Sequence, residues 1–214
     1  DSLQKGLVFD APLTSAWTKT ETAGSEIMID KTPNSNDLVN YGASISSSSV
    51  TFNGSSNYLS KTTVNTGNDF SVFAWVKPLT ATAGRNVVVT NGYPYTLDKG
   101  WLLCFQSNNA FFLSIGADNA YAQSAGSVIT NGVWNFIGAT VTNGGASFQL
   151  YINGKPTSTV AGVNSSRTVS YTNAILNIGK RSSEYFNGSM AGVKIYNRVL
   201  SASEVQSLYD KGIK

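Results

Sequence analysis

Six Asn-Gly dipeptides are spread along this chain of 214 residues, and they constrain its fold more than any other feature. Asn and Gly adopt positive φ angles more readily than other residues, and the two-residue turn of a β-hairpin requires such angles. Short segments with alternating apolar and polar residues lie between the dipeptides. The pattern predicts an antiparallel all-β fold in which hairpins dominate the topology. The dipeptides are Asn53-Gly54, Asn91-Gly92, Asn131-Gly132, Asn143-Gly144, Asn153-Gly154 and Asn187-Gly188.

Nine segments have the length and residue types of β-strands, which is enough for two stacked sheets. In residues 70–76 both alternating faces are apolar, so we expect a central strand that is covered on each side. Residues 10–40 contain two prolines and many polar side chains, and we expect a long ordered loop there. The nine predicted strands are 50–52, 69–77, 86–90, 101–106, 110–115, 134–142, 147–152, 174–178 and 188–196.

One helix is predicted, at the C-terminal end of the sequence. Ser201 and Glu204 have the spacing of a capping box, and Leu200 and Val205 can form the hydrophobic staple that accompanies it. Gly212 can end the helix after two to three turns. Its apolar residues recur at helical spacing, so we expect this face to pack onto the sandwich.

Length and composition limit the organisation and the partners of the chain. A chain of 214 residues can form one all-β domain, and we expect residues 1–214 to be a single domain. The net charge of +3 comes from scattered basic residues with no run that would follow a phosphate backbone, so we do not expect nucleic acid as a partner. The apolar stretches are far shorter than the ~20 residues that span a bilayer, so membrane insertion is not expected. The first residues lack a signal-peptide pattern, which indicates a mature form or an excised piece.

Histidine is absent and the sequence holds a single cysteine, Cys104. Ser-His-Asp and Cys-His catalysis is thereby excluded, and so is an internal disulfide. Because Cys104 lies within an apolar run, it is expected to be a small buried hydrophobic residue.

A series of short motifs follows in a fixed order along nearly the whole chain. They are Gly6-Leu7-Val8, Val50-Thr51-Phe52-Asn53-Gly54, Asn57-Tyr58-Leu59, Phe70-Ser71-Val72, Ala74-Trp75-Val76-Lys77-Pro78, Trp134-Asn135-Phe136-Ile137-Gly138-Ala139-Thr140, Leu150-Tyr151-Ile152-Asn153-Gly154-Lys155, Leu176-Asn177-Ile178-Gly179-Lys180 and Tyr185-Phe186-Asn187-Gly188-Ser189-Met190. The last motif continues into the predicted helix and is the most specific. In this order the motifs resemble the LamG-like jelly rolls of the concanavalin A-like lectin and glucanase superfamily. The resemblance implies a two-sheet antiparallel β-sandwich with a short C-terminal helix.

The chain departs from this family at Ala191, where relatives commonly carry an acidic residue that helps to hold a structural calcium ion. Calcium prefers several hard oxygen ligands, so the loss of one carboxylate weakens such a site but does not abolish it where backbone carbonyls remain. A structural Ca²⁺ ion therefore stays open as an expectation from the resemblance.

The same superfamily contains retaining glycoside hydrolases, which need a pair of carboxylates. The one candidate pair is Glu26 and Asp30, with Met28 at the position where the hydrolase signature has a third acid. On one strand these two carboxylates would lie about 13 Å apart at ~3.3 Å per residue. A retaining mechanism needs the two carboxyl groups about 5–5.5 Å apart, and an inverting mechanism needs them about 6.5–9.5 Å apart. Neither mechanism fits, so we expect no enzyme, although distant loops could still bring two acids together.

Aromatic residues in polar, turn-rich surroundings are the candidates for a ligand-binding rim, since sugars bind to aromatic faces and planar polar groups. Three segments have this character. A structural role is the alternative for several of their members: Trp101 can be a core residue at a strand edge, and Arg181 and Tyr185 can order a loop. The candidate ligand-binding residues are Tyr93, Tyr95, Trp101, Asp118, Asn119, Tyr121, Arg181 and Tyr185.

These observations favour a non-catalytic, lectin-like module that attaches a larger protein, cell or particle to a glycan or polysaccharide. The alternative is an adhesion, receptor-binding or decoration domain of a phage particle or bacterial surface protein, with a cell-surface receptor as its partner. Both functions imply a secreted or surface-displayed protein. The fold alone does not decide between them, and the sequence does not indicate an oligomeric state.

Overall fold

The structure is a computed structural model that describes residues 2–21, 25–61, 64–79, 84–92, 100–116, 120–161 and 175–213, with the backbone alone for 160 and 161. Its one α-helix in these ranges is α1 (Ala202–Asp210), and 3₁₀ turns cover Ser2–Gln4, Ser15–Trp17 and Asn143–Gly145. The strands are β1 (Leu7–Ala11), β2 (Thr18–Thr20), β3 (Glu26–Met28), β4 (Leu38–Tyr41), β5 (Ser44–Ile45), β6 (Val50–Asn53), β7 (Tyr58–Lys61), β8 (Phe70–Pro78), β9 (Asn86–Asn91), β10 (Trp101–Phe105), β11 (Phe111–Ile115), β12 (Ala120–Ser124), β13 (Asn135–Thr142), β14 (Ser147–Ile152), β15 (Lys155–Pro156), β16 (Thr159–Ala161), β17 (Leu176–Ile178), β18 (Lys180–Arg181), β19 (Glu184–Tyr185) and β20 (Asn187–Tyr196).

The strands form two large sheets, and every pairing in them is antiparallel. Sheet A has the order β15-β14-β13-β8-β20-β6-β5, and β1 also pairs with β20. Sheet B has the order β16-β12-β11-β10-β9-β17-β7-β4-β3-β2, and β18 and β19 form a separate hairpin. All nine predicted strands are present with ends within two residues of the prediction. The predicted jelly-roll β-sandwich with a short C-terminal helix is confirmed.

The main hydrophobic core lies between the two sheets. Strand β8 contributes Phe70, Val72, Ala74 and Val76 to it, as strand alternation requires. Its opposite face carries Phe73, which is also fully buried. The central strand is therefore covered on both sides, as the sequence predicts.

Helix α1 covers the outer face of sheet A and packs with Val205 and Leu208 over Phe73 and its neighbours. The predicted capping box is present, and Gly212 takes the left-handed conformation just after the helix end. Before the helix, the Arg198 guanidinium donates hydrogen bonds to the carbonyls of Lys5 and Ser2 at 2.8 and 2.7 Å. The two ends of the described chain are thereby joined on this face. No helix in the described ranges is long and apolar enough to cross a membrane.

The outer face of sheet B carries a smaller apolar cluster of Val87, Leu102, Cys104 and Phe112. Cys104 is fully buried, as predicted from its apolar neighbours. The β18–β19 hairpin packs over β9 beside this cluster, and Thr90 Oγ1 donates a hydrogen bond to the Lys180 carbonyl at 3.2 Å. Strands β7, β4 and β3 lie farther along the sheet, and Tyr41 of β4 is exposed on their outer face.

Residues 10–40 are not one long loop, because they include β2, β3 and the start of β4. Strand β3 joins the edge of sheet B through Ile27, which pairs with Val39, and Met28, which pairs with Leu38. Strands of three residues are too short to develop a recognisable alternation, so pairing to a neighbour determines them more than their own sequence does. The loop prediction for this region is corrected accordingly.

Candidate functional site

An open groove of about 500 Å³ lies on the outer face of sheet B, over β3, β4 and β7. Val39 and Tyr41 line it from β4, and Ser60 lines it from β7 as the cross-strand partner of Val39. Leu38 and Leu59 alternate with these residues and are fully buried in the core. The period of the strand therefore places Val39, Tyr41 and Ser60 on the groove side of these two strands, away from the core.

Two tyrosines stack at this groove. Tyr41 and Tyr58 are cross-strand partners, with ring centroids 4.4 Å apart and ring planes 4° from parallel. The Lys180 Nζ atom lies 3.9 Å from the centroid of the Tyr58 ring. Since Tyr41 covers one face of Tyr58, the ammonium occupies the other face, which is a favourable cation–π arrangement. Tyr41 is 47% exposed and lines the groove, so its outer ring face is supported from behind and open to solvent.

The β18–β19 hairpin positions Lys180. Its register pairs Lys180 with Tyr185, whose ring centroid lies 5.7 Å from the ammonium. The next pair of the hairpin is Arg181 and Glu184, joined by an ion pair of 3.3 Å between Nη1 and Oε2. The Arg181 side chain is only 3% exposed, so this ion pair stabilises the hairpin from within and leaves the guanidinium inaccessible to a ligand.

Charged groups lie at the other side of the groove, where Glu21, Asp37 and Lys61 line it. Asp37 accepts a hydrogen bond from Lys19 Nζ at 2.6 Å and another from the backbone N–H of Asp30 at 3.0 Å. Burial acts to raise the pKa of Asp37, but these two donors and the positive charges of Lys19 and Lys61 outweigh it. The pKa of Asp37 is therefore lowered, and the groove keeps a fixed carboxylate at neutral pH.

The groove thus combines an exposed aromatic ring with a hydroxyl, a carboxylate and an ammonium group. A sugar ring offers an apolar face that packs on an aromatic ring and hydroxyls that both donate and accept hydrogen bonds. The chemistry of the groove is suited to such a ligand, and its open shape is suited to a chain that extends beyond it.

Asp30 and Glu26, the candidate carboxylate pair of the sequence, both accept hydrogen bonds from neighbouring segments. Asp30 is 4% exposed and lies beyond the end of β3. Its carboxylate accepts four hydrogen bonds, from the backbone N–H groups of Asp10, Thr32 and Asn36 and from the Thr32 hydroxyl. Glu26 accepts a hydrogen bond from Asn40 Nδ2 at 2.8 Å. Both acids therefore hold neighbouring segments in place.

The structure places the predicted rim residues in different surroundings. Tyr93, Tyr95, Asp118 and Asn119 lie outside the described residues. Tyr121 is half-buried on the outer face of sheet B, with its ring centroid 5.3 Å from that of Phe112. Tyr185 belongs to the hairpin beside the tyrosine stack, and Arg181 of the same hairpin is buried and forms an ion pair with Glu184.

The prediction that Trp101 lies at the binding rim is corrected, because its indole is fully buried between the sheets. The ring stacks on Phe70 with centroids 5.2 Å apart, and its Nε1 atom donates a hydrogen bond to Thr66 Oγ1 at 3.2 Å. Both the apolar ring and its N–H group thus have partners in the core. Trp101 presents no ring face to a ligand.

Sequence reasoning missed the three residues that form the stack, Tyr41, Tyr58 and Lys180. The signal that could have found them was the alternation of Val39 and Tyr41 with Leu38, which marks a strand with one buried face. The signal is short, and it lies at the end of a region whose prolines and polar residues predict a loop.

The position of the family's calcium-binding acid does not fit a calcium ion here. Ala191 is fully buried in β20 and offers no side-chain oxygen. The nearby carboxylate of Asp10 already forms an ion pair of 2.5 Å with Lys194 Nζ. The described residues also contain no group of three or more His, Cys, Asp or Glu side chains that could hold a metal.

Comparison with known proteins places the chain in a family. The model of a laminin G-type family, described as the concanavalin A-like lectin/glucanases superfamily, matches residues 51–206. No curated protein sequence matches the chain. Among solved structures, the Trypanosoma rangeli sialidase is similar, with a TM-score of 0.70 and 17% sequence identity. The match covers 97% of this chain and 33% of the sialidase chain. The binding domain of botulinum neurotoxin serotype D is also similar, with a TM-score of 0.71 and 14% sequence identity. The match covers 99% of this chain and 53% of the toxin chain.

These two likenesses concern the fold, since the identities are low, and the chain spans about a third of the sialidase and about half of the toxin domain. The family match covers most of the sequence and agrees with the two antiparallel sheets and the C-terminal helix. The chain therefore belongs to the concanavalin A-like lectin/glucanase superfamily, as a laminin G-type jelly roll.

Proposed function

We propose that this chain is a non-catalytic carbohydrate-binding module that attaches a larger protein, a cell or a particle to a glycan through the groove on sheet B. One observation carries the proposal: the exposed ring of Tyr41 is held flat by Tyr58 at a groove that also has polar and charged groups. A secreted or surface-displayed location belongs to the same proposal.

The stack supports binding because it is formed before the ligand arrives. Tyr41 loses little conformational freedom when a sugar packs on it, since Tyr58 already fixes its plane. The Lys180 ammonium in turn holds Tyr58 from the other side. A rigid aromatic platform with polar neighbours is a common element of sites for amphipathic ligands.

The surroundings of the acids support binding over hydrolysis. A general acid needs a raised pKa, whereas Asp37 in the groove has a lowered one because of its donors. Glu26 and Asp30 are engaged in hydrogen bonds that order the fold. We therefore propose that the groove retains its ligand without cleaving it.

The alternative function, receptor binding or adhesion, has support from one comparison. A similar fold forms part of the binding domain of a botulinum neurotoxin. On that alternative the partner would be a protein of a cell surface or of a particle, and the same exposed groove could contact it.

A glycan array, followed by titration of the best ligand, tests the proposal. Tyr41→Ala should weaken glycan affinity about tenfold, which corresponds to the loss of roughly 1.4 kcal/mol of stacking and contact energy. Tyr41→Phe keeps the ring and should retain most of the affinity. Tyr121→Ala removes a half-buried tyrosine of β12, which lies on the same face of sheet B but several strands away from the groove, and it serves as the matched control.

Each outcome decides between stated alternatives. Loss of affinity in Tyr121→Ala but not in Tyr41→Ala would place the ligand at the other rim and overturn the groove. Binding to a protein receptor without any glycan signal would favour the adhesion function. Reducing ends released from a polysaccharide by the wild-type protein, and abolished by Asp37→Asn, would replace binding by hydrolysis.

A further inference from the structure

We propose a second ligand site, an asparagine-lined pocket beside β1, that binds the hydroxyl groups of a neutral sugar residue. The pocket has a volume of about 310 Å³. It differs from the groove with the tyrosine stack, because Ser35 lines that groove whereas its neighbours Asn34 and Asn36 line the pocket. The inference is independent of the glycan-binding function proposed for the groove. The described residues that line the pocket are Val8, Asn34, Asn36, Val64 and Asn65.

A buried carboxylate fixes the loop that carries two of these asparagines. Asp30 accepts hydrogen bonds from the backbone N–H of Thr32 at 3.0 Å and from that of Asn36 at 2.9 Å. The Thr32 hydroxyl donates to the same carboxylate at 2.8 Å. Ser35 takes a φ of +50°, and its N–H donates to the Thr32 carbonyl at 3.2 Å. The loop therefore has a defined backbone before any ligand arrives, which lowers the entropic cost of binding.

The amides of Asn34 and Asn36 converge on one backbone carbonyl. Val8 lies in a β-bulge, since the register between β1 and β20 shifts between Leu7 and Phe9. Its carbonyl accepts hydrogen bonds from Asn34 Nδ2 at 3.0 Å and from Asn36 Nδ2 at 3.2 Å. Because the nitrogen end of each amide is held, the oxygen end is oriented as well. Neither Oδ1 atom accepts a hydrogen bond from the part of the chain that the structure describes, so both can accept one from a ligand hydroxyl.

The opposite wall of the pocket supplies a donor. Asn65 Oδ1 accepts the backbone N–H of Gly67 at 3.0 Å, which leaves the Asn65 Nδ2 group to donate to a ligand. The Val64 carbonyl accepts a hydrogen bond of 2.6 Å from Nδ2 of Asn91, which is fully buried. This wall is thus tied to the core, as the other wall is tied to Asp30.

The groups on the two walls narrow the ligand class. A sugar hydroxyl both donates and accepts hydrogen bonds, so neighbouring hydroxyls can use the amide oxygens and the amide nitrogen together. Val8 and Val64 add an apolar contact for the C–H groups of the ring. The described lining is uncharged, and its Asn65 donor would oppose a cation. The volume equals about ten water molecules at ~30 Å³ each, which is enough for one sugar residue.

Heteronuclear NMR titration with the methyl glycosides of glucose, galactose and mannose tests the site. At least one of them should shift the side-chain amide signals of Asn36 and Asn65, with an affinity that does not change with salt. Asn34→Ala removes an acceptor, and Asn65→Asp replaces the donor while it keeps the acceptor for Gly67. Each should weaken the affinity about fivefold, as expected for one hydrogen bond. Asn53→Asp is the matched control, because it makes the same change in an exposed turn outside the pocket and should leave the affinity unchanged.

The opposite results would overturn the inference. Absence of shifts with all three glycosides, or unchanged affinity in both pocket variants, would mean that the asparagines hold no sugar. A marked fall in affinity at higher salt would show that a charged group selects the ligand. Shifts caused by calcium chloride alone, with the glycosides inert, would make the pocket a cation site. Tyr41→Ala should leave the glycoside response intact, so a failure of this site and a failure of the groove on sheet B can be told apart.

Discussion

Replacement of Glu204 by Gln should destabilise the protein at neutral pH and lose this effect in acid. The Glu204 carboxylate accepts two hydrogen bonds from the Arg198 guanidinium, at 2.8 and 2.9 Å. It also accepts a hydrogen bond of 3.0 Å from the backbone N–H of Ser201, which completes the capping box of α1. Glutamine keeps the shape of the side chain but removes its charge.

The pKa of Glu204 gives the magnitude and the sign of the effect. The hydrogen bonds from Arg198, more than the other causes, lower this pKa from 4.5 to about 2. A shift of that size corresponds to roughly 3 kcal/mol if it is fully expressed in stability. The two side chains are 17% and 23% exposed, so screening by water reduces the expected loss to about 1–2 kcal/mol. A lowered pKa stabilises the folded state above pH 4.5, and this contribution disappears as the pH falls toward 2.

Urea unfolding of the wild type and Glu204→Gln between pH 7 and pH 2 measures the prediction. The difference in unfolding free energy should be about 1–2 kcal/mol at pH 7 and should approach zero near pH 2, where the wild-type carboxyl takes up its proton. Asp210→Asn removes an exposed carboxylate whose one hydrogen bond within the described part of the chain comes from Gln206, and it should change stability little at any pH. A difference that is independent of pH would refute the ionic argument and leave only a packing effect.

Two further predictions concern the fold. Gly138→Ala should lower the free energy of unfolding in urea by about 2–3 kcal/mol, because the new Cβ atom would lie 2.0 Å from Phe73 Cδ1. Gly84→Ala is its control and should be nearly neutral, because the nearest contact of its Cβ atom is at 3.7 Å. Asp30→Asn should cost about 2 kcal/mol without changing glycan affinity, since its amide nitrogen cannot accept the buried hydrogen bonds that the carboxylate accepts; an equal loss of affinity would mean that Asp30 acts in the binding site.

The sequence predicts those parts of the fold that depend on local or long regular patterns. Strand β8 has nine residues with two apolar faces, which is long enough to identify a central strand. The capping box of α1 requires only Ser201 and Glu204, which lie within four consecutive positions of the sequence. Strands β2 and β3 have three residues each, and they form because β4 is available as a neighbour. Their existence depends on tertiary pairing that no local pattern contains.

The candidate site is harder to predict for the same reason. The stack of Tyr41 on Tyr58 depends on the register between β4 and β7, and Lys180 reaches it from a hairpin much later in the chain. Polar turns around Trp101 suggest a surface position, but Phe70 and Thr66 bury it in the core. A list of aromatic residues in polar segments therefore does not separate platforms from core residues, because cross-strand pairing decides which face of each ring is covered.

The hydrogen bonds from Arg198 to the carbonyls of Ser2 and Lys5 have a consequence for fusion proteins. They keep the start of the described chain next to α1, on the sheet A side of the sandwich. A polypeptide joined to either end would leave from that side, so a tag or partner domain added there would point away from Tyr41. Immobilisation through either terminus should thus leave the tyrosine platform facing the solution.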